Sequence, residues 1–124
     1  MNQPDGLEDH YRNPRNLGEL EDADAVALVH NPACGDMLRL AIKVTEGRIV
    51  AARFKAYGCA AAIAASSVAT ELLSGTSLEQ AASISDDDIR AVIGPLPPMK
   101  VHAIVLAREG IRQVLERLHK DETE

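Results

Sequence analysis

The sequence predicts an α+β domain, a three-stranded antiparallel meander covered on one face by helices. Two observations predict it. Segments in which apolar and polar residues alternate occupy the first half of the chain, and segments that read as helix, with stop and cap signals between them, occupy the second. The 124 residues are enough for one domain with one core. The expected organisation is a single domain over 1–124, with a frayed tail at 120–124. Aromatic residues make up only 2% of the chain, so the core has to be aliphatic, built from Leu, Ile, Val and Ala.

Gly6–Arg12 is expected to form a short N-terminal helix. The run Asn13-Pro14-Arg15-Asn16-Leu17-Gly18 ends it, because Pro14 restricts the residue before it and lacks a donor. Glu19–Asp24 is an acidic loop, expected to be solvated surface. Ala25–His30 reads as the first strand. Met37–Val44 alternates cleanly, with Leu38, Leu40, Ile42 and Val44 on one face and Arg39 and Lys43 on the other. Glu46-Gly47 reads as a hairpin turn into a third strand, Arg48–Ala56. There Val50, Ala52, Phe54 and Ala56 alternate against Ala51, Arg53 and Lys55, and Gly58 breaks the strand.

The alanine-rich run Ala60–Leu73 reads as helix, with Ala61, Ala64, Val68 and Leu72 on one stripe and Gly75 as its stop. Thr76 or Ser77 caps a short helix through Ala82, with Glu79 or Gln80 near the capping-box position. Ser85-Asp86-Asp87-Asp88-Ile89 starts another, acidic in its first turn as the helix dipole prefers. Gly94-Pro95-Leu96-Pro97-Pro98 is a rigid connector. The last helix is expected over Met99–His119, with Ile104, Ala107, Ile111, Leu115 and Leu118 as its buried stripe. Gly110 costs that helix on the order of 1 kcal/mol relative to alanine, which suggests that it permits close packing.

Composition excludes some function classes. A net charge of −6 without a basic cluster argues against nucleic acid as the main partner. No apolar run approaches a membrane span. The polar start Met1-Asn2-Gln3-Pro4-Asp5 does not read as a signal peptide. The expectation is a soluble cytoplasmic protein. A reducing cytosol makes a disulfide between Cys34 and Cys59 the less expected use of the two cysteines.

Three places offer chemistry. Cys59 stands at or just before the N-terminus of the alanine-rich helix, where unpaired N–H groups and the dipole favour an anion. For a cysteine that is the thiolate, the form that acts as nucleophile or metal ligand. Taken alone, a cysteine beside so much alanine reads instead as a small buried hydrophobe. Cys34-Gly35-Asp36 lies between the first two strands, where Gly35 allows a tight turn and donors at i and i+2 can point to one side. His102 lies in the first turn of the last helix. Two thiolates, a carboxylate and an imidazole from three loop ends suit tetrahedral zinc, or iron bridged by sulfide. The spacing contains no CxxC pair and does not by itself make the three places converge. A reading from another class is a cysteine-nucleophile enzyme, with Cys59 attacking and His102 as base, but no third orienting group is visible. His10, His30 and His119 read as structural or solvent-exposed.

Four ordered motifs carry a family likeness: Asp9-His10-Tyr11-Arg12-Asn13-Pro14-Arg15-Asn16, Asn31-Pro32-Ala33-Cys34-Gly35-Asp36, Phe54-Lys55-Ala56-Tyr57-Gly58-Cys59 and Leu96-Pro97-Pro98-Met99-Lys100-Val101-His102. Over nearly the whole chain the sequence resembles the IscU/NifU-type scaffold proteins of iron–sulfur cluster assembly, and the expectation that follows is a binding protein and not an enzyme. The resemblance implies that Cys34 and Cys59 are two of three cluster-binding cysteines. It implies that Asp36 ligates metal or keeps the cluster labile, that His102 is the histidine beside the third cysteine, and that Lys100 lies next to the site. Leu96-Pro97-Pro98-Met99-Lys100 resembles the segment recognised by dedicated Hsp70-type chaperones. An exposed, extended Pro-Pro segment suits that role, and it also serves as a lead-in to the helix.

The third cysteine is replaced here by Ala103, which can neither ligate a cluster nor accept persulfide sulfur. The expected cargo is iron or a [2Fe–2S] cluster on Cys34, Asp36, Cys59 and His102. The alternative is a zinc-binding or regulatory relative that has lost assembly. The implied partners are a cysteine desulfurase, an Hsp70-type chaperone with its co-chaperone, and apo iron–sulfur acceptor proteins.

Overall fold

A computed structural model describes residues 6–31 and 35–123, the last four of these by backbone alone. Cys34 therefore lies outside the described residues. Strands β1 (Ala25–Asn31), β2 (Asp36–Thr45) and β3 (Arg48–Tyr57) form one antiparallel sheet in the order β1-β2-β3. The alternation read from the sequence sets the register, with Ala27 opposite Leu40 and Leu40 opposite Phe54. Ala27, Val29, Leu38, Leu40, Ile42, Ala52 and Phe54 are all buried on one face. Glu46 and Gly47 have φ of 50° and 77°. Positive φ at both central residues is the two-residue turn whose twist matches the strands it joins.

One strand residue departs from the expected pattern. The β2–β3 register shifts beside Lys43 and Val44, with Val44 opposite Ile49 and Lys43 opposite Ala51. Val50 is the extra residue of this bulge. It is 53% exposed, and Ile49 is buried in its place.

Helices α1 (Gly6–Arg12), α2 (Ala60–Leu73), α3 (Leu78–Ala82), α4 (Asp86–Ile93) and α5 (His102–Thr123) accompany the sheet. α2 and α5 cover its apolar face, and α1 and α4 pack on α2 from behind. This partial third layer explains why α2 is buried on nearly every side, Ser66, Ser67 and Thr70 included. Small side chains suit a helix enclosed in this way. Leu73, rather than the expected Leu72, is the fully buried leucine at its end. α3 and α4 start with capping boxes, Ser77 with Gln80 and Ser85 with Asp88. Each satisfies two otherwise orphaned N–H groups.

α5 begins at His102, three residues later than expected. Pro98–Lys100 forms a short 3-10 turn, closed by the Lys100 N–H on the Pro97 carbonyl at 2.8 Å. The helix runs past His119 to Thr123, and its buried residues are Ala103, Ile104, Leu106, Ala107, Gly110, Ile111, Val114 and Leu118. Leu115 is only half-buried.

The acidic loop is more than solvated surface. Asn16 and Gly18 exchange backbone hydrogen bonds with Phe54 of β3, while β1 starts at the opposite sheet edge. The segment between them therefore crosses the outer face of the sheet. Glu19 lies 3.4 Å from Arg39 and 3.9 Å from Lys55, and Lys43 donates to the Asp22 carbonyl. Ala41 is buried on that outer face. Among the described residues no single helix is long and apolar enough to cross a membrane.

Candidate metal centre

Asp36, Cys59 and His102 come from three separate elements and meet at one end of the sheet. Asp36 is the first residue of β2, entered through Gly35 at φ 74°. Cys59 is the N-cap of α2, with extended backbone (φ −74°, ψ 169°) and no side-chain capping bond. Its thiol is thus not committed to the helix end, and it forms no disulfide. His102 opens α5, at the point where the proline connector releases the chain into helix.

One ligand atom from each of the three residues lies within 4.8 Å of the other two. His102 Nε2 stands 3.0 Å from Asp36 Oδ2. The Asp36 side chain is 4% exposed and that of His102 28%. The carboxylate is thus held beneath the surface, and the imidazole reaches it from the open side. Ligands around a tetrahedral first-row ion lie roughly 3.4–3.8 Å apart. Exchanging the Asp36–His102 hydrogen bond for bonds to one ion would part those two atoms by about half an ångström, and a separation of 4.8 Å would have to close by roughly 1–1.4 Å. A carboxylate, an imidazole and a thiolate span hard to soft donors, a mixture suited to zinc and iron.

The sequence proposed four ligands, and the structure brings three of them together. Lys100 is half-buried in the 3-10 turn two residues before His102. Ala103 has no exposed surface and belongs to the core. In the connector, Pro97 and Pro98 are exposed and Met99 is 75% exposed, whereas Leu96 packs against the core. The expected extended segment is therefore extended only as far as Pro97.

Sequence reasoning missed one residue and left a second, His10, open between a structural and an exposed reading. In the sequence Gly58 is only a strand breaker, whereas in the structure it packs directly against the Asp36 carboxylate. His10, read as structural or exposed, is 3% exposed. Its Nδ1 lies 2.8 Å from Ser67 Oγ and its Nε2 3.3 Å from Glu71. A neutral imidazole carrying its proton on Nε2 satisfies both contacts, with the Ser67 hydroxyl donating to Nδ1. Burial holds the His10 pKa below its ordinary value, and Arg15 adds to the effect.

Comparison with known proteins agrees with this arrangement. The model of the NifU-like N-terminal domain matches residues 3–123. The "Iron-sulfur cluster assembly scaffold protein IscU" of Azotobacter vinelandii is 47% identical over 116 residues, covering 90% of each chain. The "Iron-sulfur cluster assembly enzyme IscU" of Drosophila melanogaster is 46% identical over 111 residues, covering 86% of this chain and 71% of that one. In fold, the crystal structure of the N-terminal part of a NifU-like protein from Brucella abortus superposes with a TM-score of 0.79 at 19% identity, over 95% of this chain and 94% of that one. A match over nearly the full length, with Asp36, Cys59 and His102 gathered at one end of the sheet, makes this chain a member of the NifU-like N-terminal domain family.

Proposed function

We propose that this protein is a scaffold on which iron–sulfur clusters are assembled and from which they are passed on. It acts by holding its cargo and not by turning over a substrate. One observation carries the reading: the donor atoms of Asp36, Cys59 and His102 converge within 4.8 Å from three elements. The cargo is iron or a [2Fe–2S] cluster, held by these three residues with Cys34 as the fourth ligand. Two thiolates supplemented by oxygen and nitrogen bind such a cluster less tightly than four thiolates, which suits a cluster that has to leave. The function named for the relatives supports the same reading.

The partners in this proposal are a cysteine desulfurase, an Hsp70-type chaperone with its co-chaperone, and apo acceptor proteins. Exposed Pro97, Pro98 and Met99 support a chaperone contact at Leu96–Lys100. A cytoplasmic setting belongs to the proposal on sequence grounds alone.

The test is anaerobic reconstitution with ferrous iron and sulfide, followed by iron and sulfide analysis and a visible absorption spectrum. The expected result is iron and sulfide in similar amounts with charge-transfer bands, lost in Cys59→Ala. A protein that retains neither, or whose Cys59→Ala variant retains both equally, overturns the proposal. Retention of zinc alone would favour a zinc-holding relative.

A further inference from the structure

Gly58 ends β3, but its surroundings give it a second task. Met37 is opposite Tyr57 where β2 and β3 approach the site. One step further along the same register, Asp36 faces Gly58. The buried face of β2 at this end is Asp36, Leu38 and Leu40, and Phe54 lies on that face of β3. A side chain at position 58 would emerge where the Asp36 carboxylate already sits. A β-carbon there would stand 2.2 Å from Asp36 Oδ1, 2.7 Å from its Cγ and 3.2 Å from its Cβ. The first two separations are too short for any non-bonded contact and the third is tight, and Asp36, 3% exposed, is enclosed by its surroundings. Gly58 also has φ of +149°, which L side chains rarely adopt.

We infer that Gly58 is a positioning residue of the metal centre: the side chain it lacks leaves the slot that holds the Asp36 carboxylate against His102 and beside Cys59. The inference rests on the metal-binding reading proposed above. One carboxylate oxygen lies against Gly58 and the other is bonded to His102 Nε2. A side chain at 58 displaces the carboxylate, breaks that bond and withdraws the oxygen donor, while Cys59 and His102 keep their own anchors in α2 and α5.

The experiment is a double-mutant cycle of Gly58→Ala and Asp36→Ala on the full chain, read in three ways. Urea unfolding without metal reads the contact, nitrogen NMR of the His102 imidazole reads its bond to Asp36, and titration with Co2+ alone reads the donor set. In the parent background Gly58→Ala should perturb the His102 signal and weaken Co2+ binding roughly tenfold or more. In the Asp36→Ala background it should change neither, and the two substitutions should couple in unfolding. If Gly58→Ala alone fails to fold, the double variant should recover folding, and its failure to do so overturns the inference. Equal effects of Gly58→Ala in both backgrounds overturn it as well. Coupling in unfolding with Co2+ binding indifferent to Asp36 overturns the metal reading and leaves Gly58 a packing role only.

Discussion

Ala103 and His102 are neighbours with opposite fates. His102 reaches the site, while the Ala103 methyl is fully enclosed in the core. The resemblance gives position 103 to a third cysteine, and alanine supplies no sulfur. Assembly driven by a cysteine desulfurase, ferrous iron and cysteine should therefore be slower in this protein than in its Ala103→Cys variant. Formation of the charge-transfer bands checks this, and equal rates would show that sulfur enters through Cys34 or Cys59. Urea unfolding should place that variant about 1–3 kcal/mol below the parent, since the sulfur has to enter a packed site. The centre was legible mainly through the family resemblance: Cys59 alone reads as a small buried hydrophobe, and nothing in the spacing of Asp36, Cys59 and His102 makes them converge. Gly58 was not legible, for a geometric reason. Counting back from the Glu46-Gly47 turn without a bulge pairs Asp36 with Tyr57. The extra residue Val50 moves the pairing by one and brings Gly58 opposite Asp36. Nothing in the alternation announces that bulge, since Ile49 and Val50 are interchangeable in apolar character.

Each element is fixed by a local signal, while its neighbours come from packing. Turn residues and caps are short-range chemistry, so the Glu46-Gly47 hairpin and the Ser77 and Ser85 starts were legible from the sequence. The enclosure of α2 was not, because the sequence shows one stripe of Ala61, Ala64, Val68 and Leu72, whereas Ser66, Ser67 and Thr70 on other sides are buried by the packing of α1 and α4. Gly110 shows how an unfavourable local choice reports a tertiary contact. A β-carbon there would stand 2.7 Å from Leu38 Cδ2 and 3.6 Å from Leu40 Cδ2, so the glycine lets α5 lie close on β2. Gly110→Ala gains about 1 kcal/mol of helix propensity but overpacks a site where Leu38 is fully buried, at a cost of about 1–3 kcal/mol. The expected net effect is a destabilisation of about 1 kcal/mol in urea unfolding. Shortening the obstacle with Leu38→Val should make Gly110→Ala less harmful, whereas a net gain of stability in the single variant would show that the core yields there.

The N-terminal segment ties the molecule together. α1 lies on α2 and α4, residues Asn16 and Gly18 bond to the β3 edge, and the acidic strap then crosses to β1. Its deepest anchor is polar: Ser67 Oγ accepts the Arg15 N–H at 2.8 Å and contacts His10, Asn16 donates to Thr70, and Arg15 pairs with Asp9 at 2.7 Å. That anchor depends on a neutral His10. Burial first, then Arg15, lowers its pKa below 6.5, while Glu71 and Asp9 oppose the shift. In the unfolded chain His10 titrates near 6.5, so below that pH the unfolded state takes up a proton that the folded state refuses. The stabilisation from a neutral His10 is therefore complete above 6.5 and is lost as pH falls towards the lowered folded value. Asp9, held below 3.8 chiefly by its bond to Arg15, contributes stability that is lost only in more acid solution, so the two effects separate. Urea midpoints at about pH 7.5 and about pH 5.5 should show the parent losing stability, and His10→Gln, although less stable at the higher pH, losing less of it. An equal loss in both proteins would mean that the clamp tolerates a charged His10 and that acid sensitivity arises elsewhere.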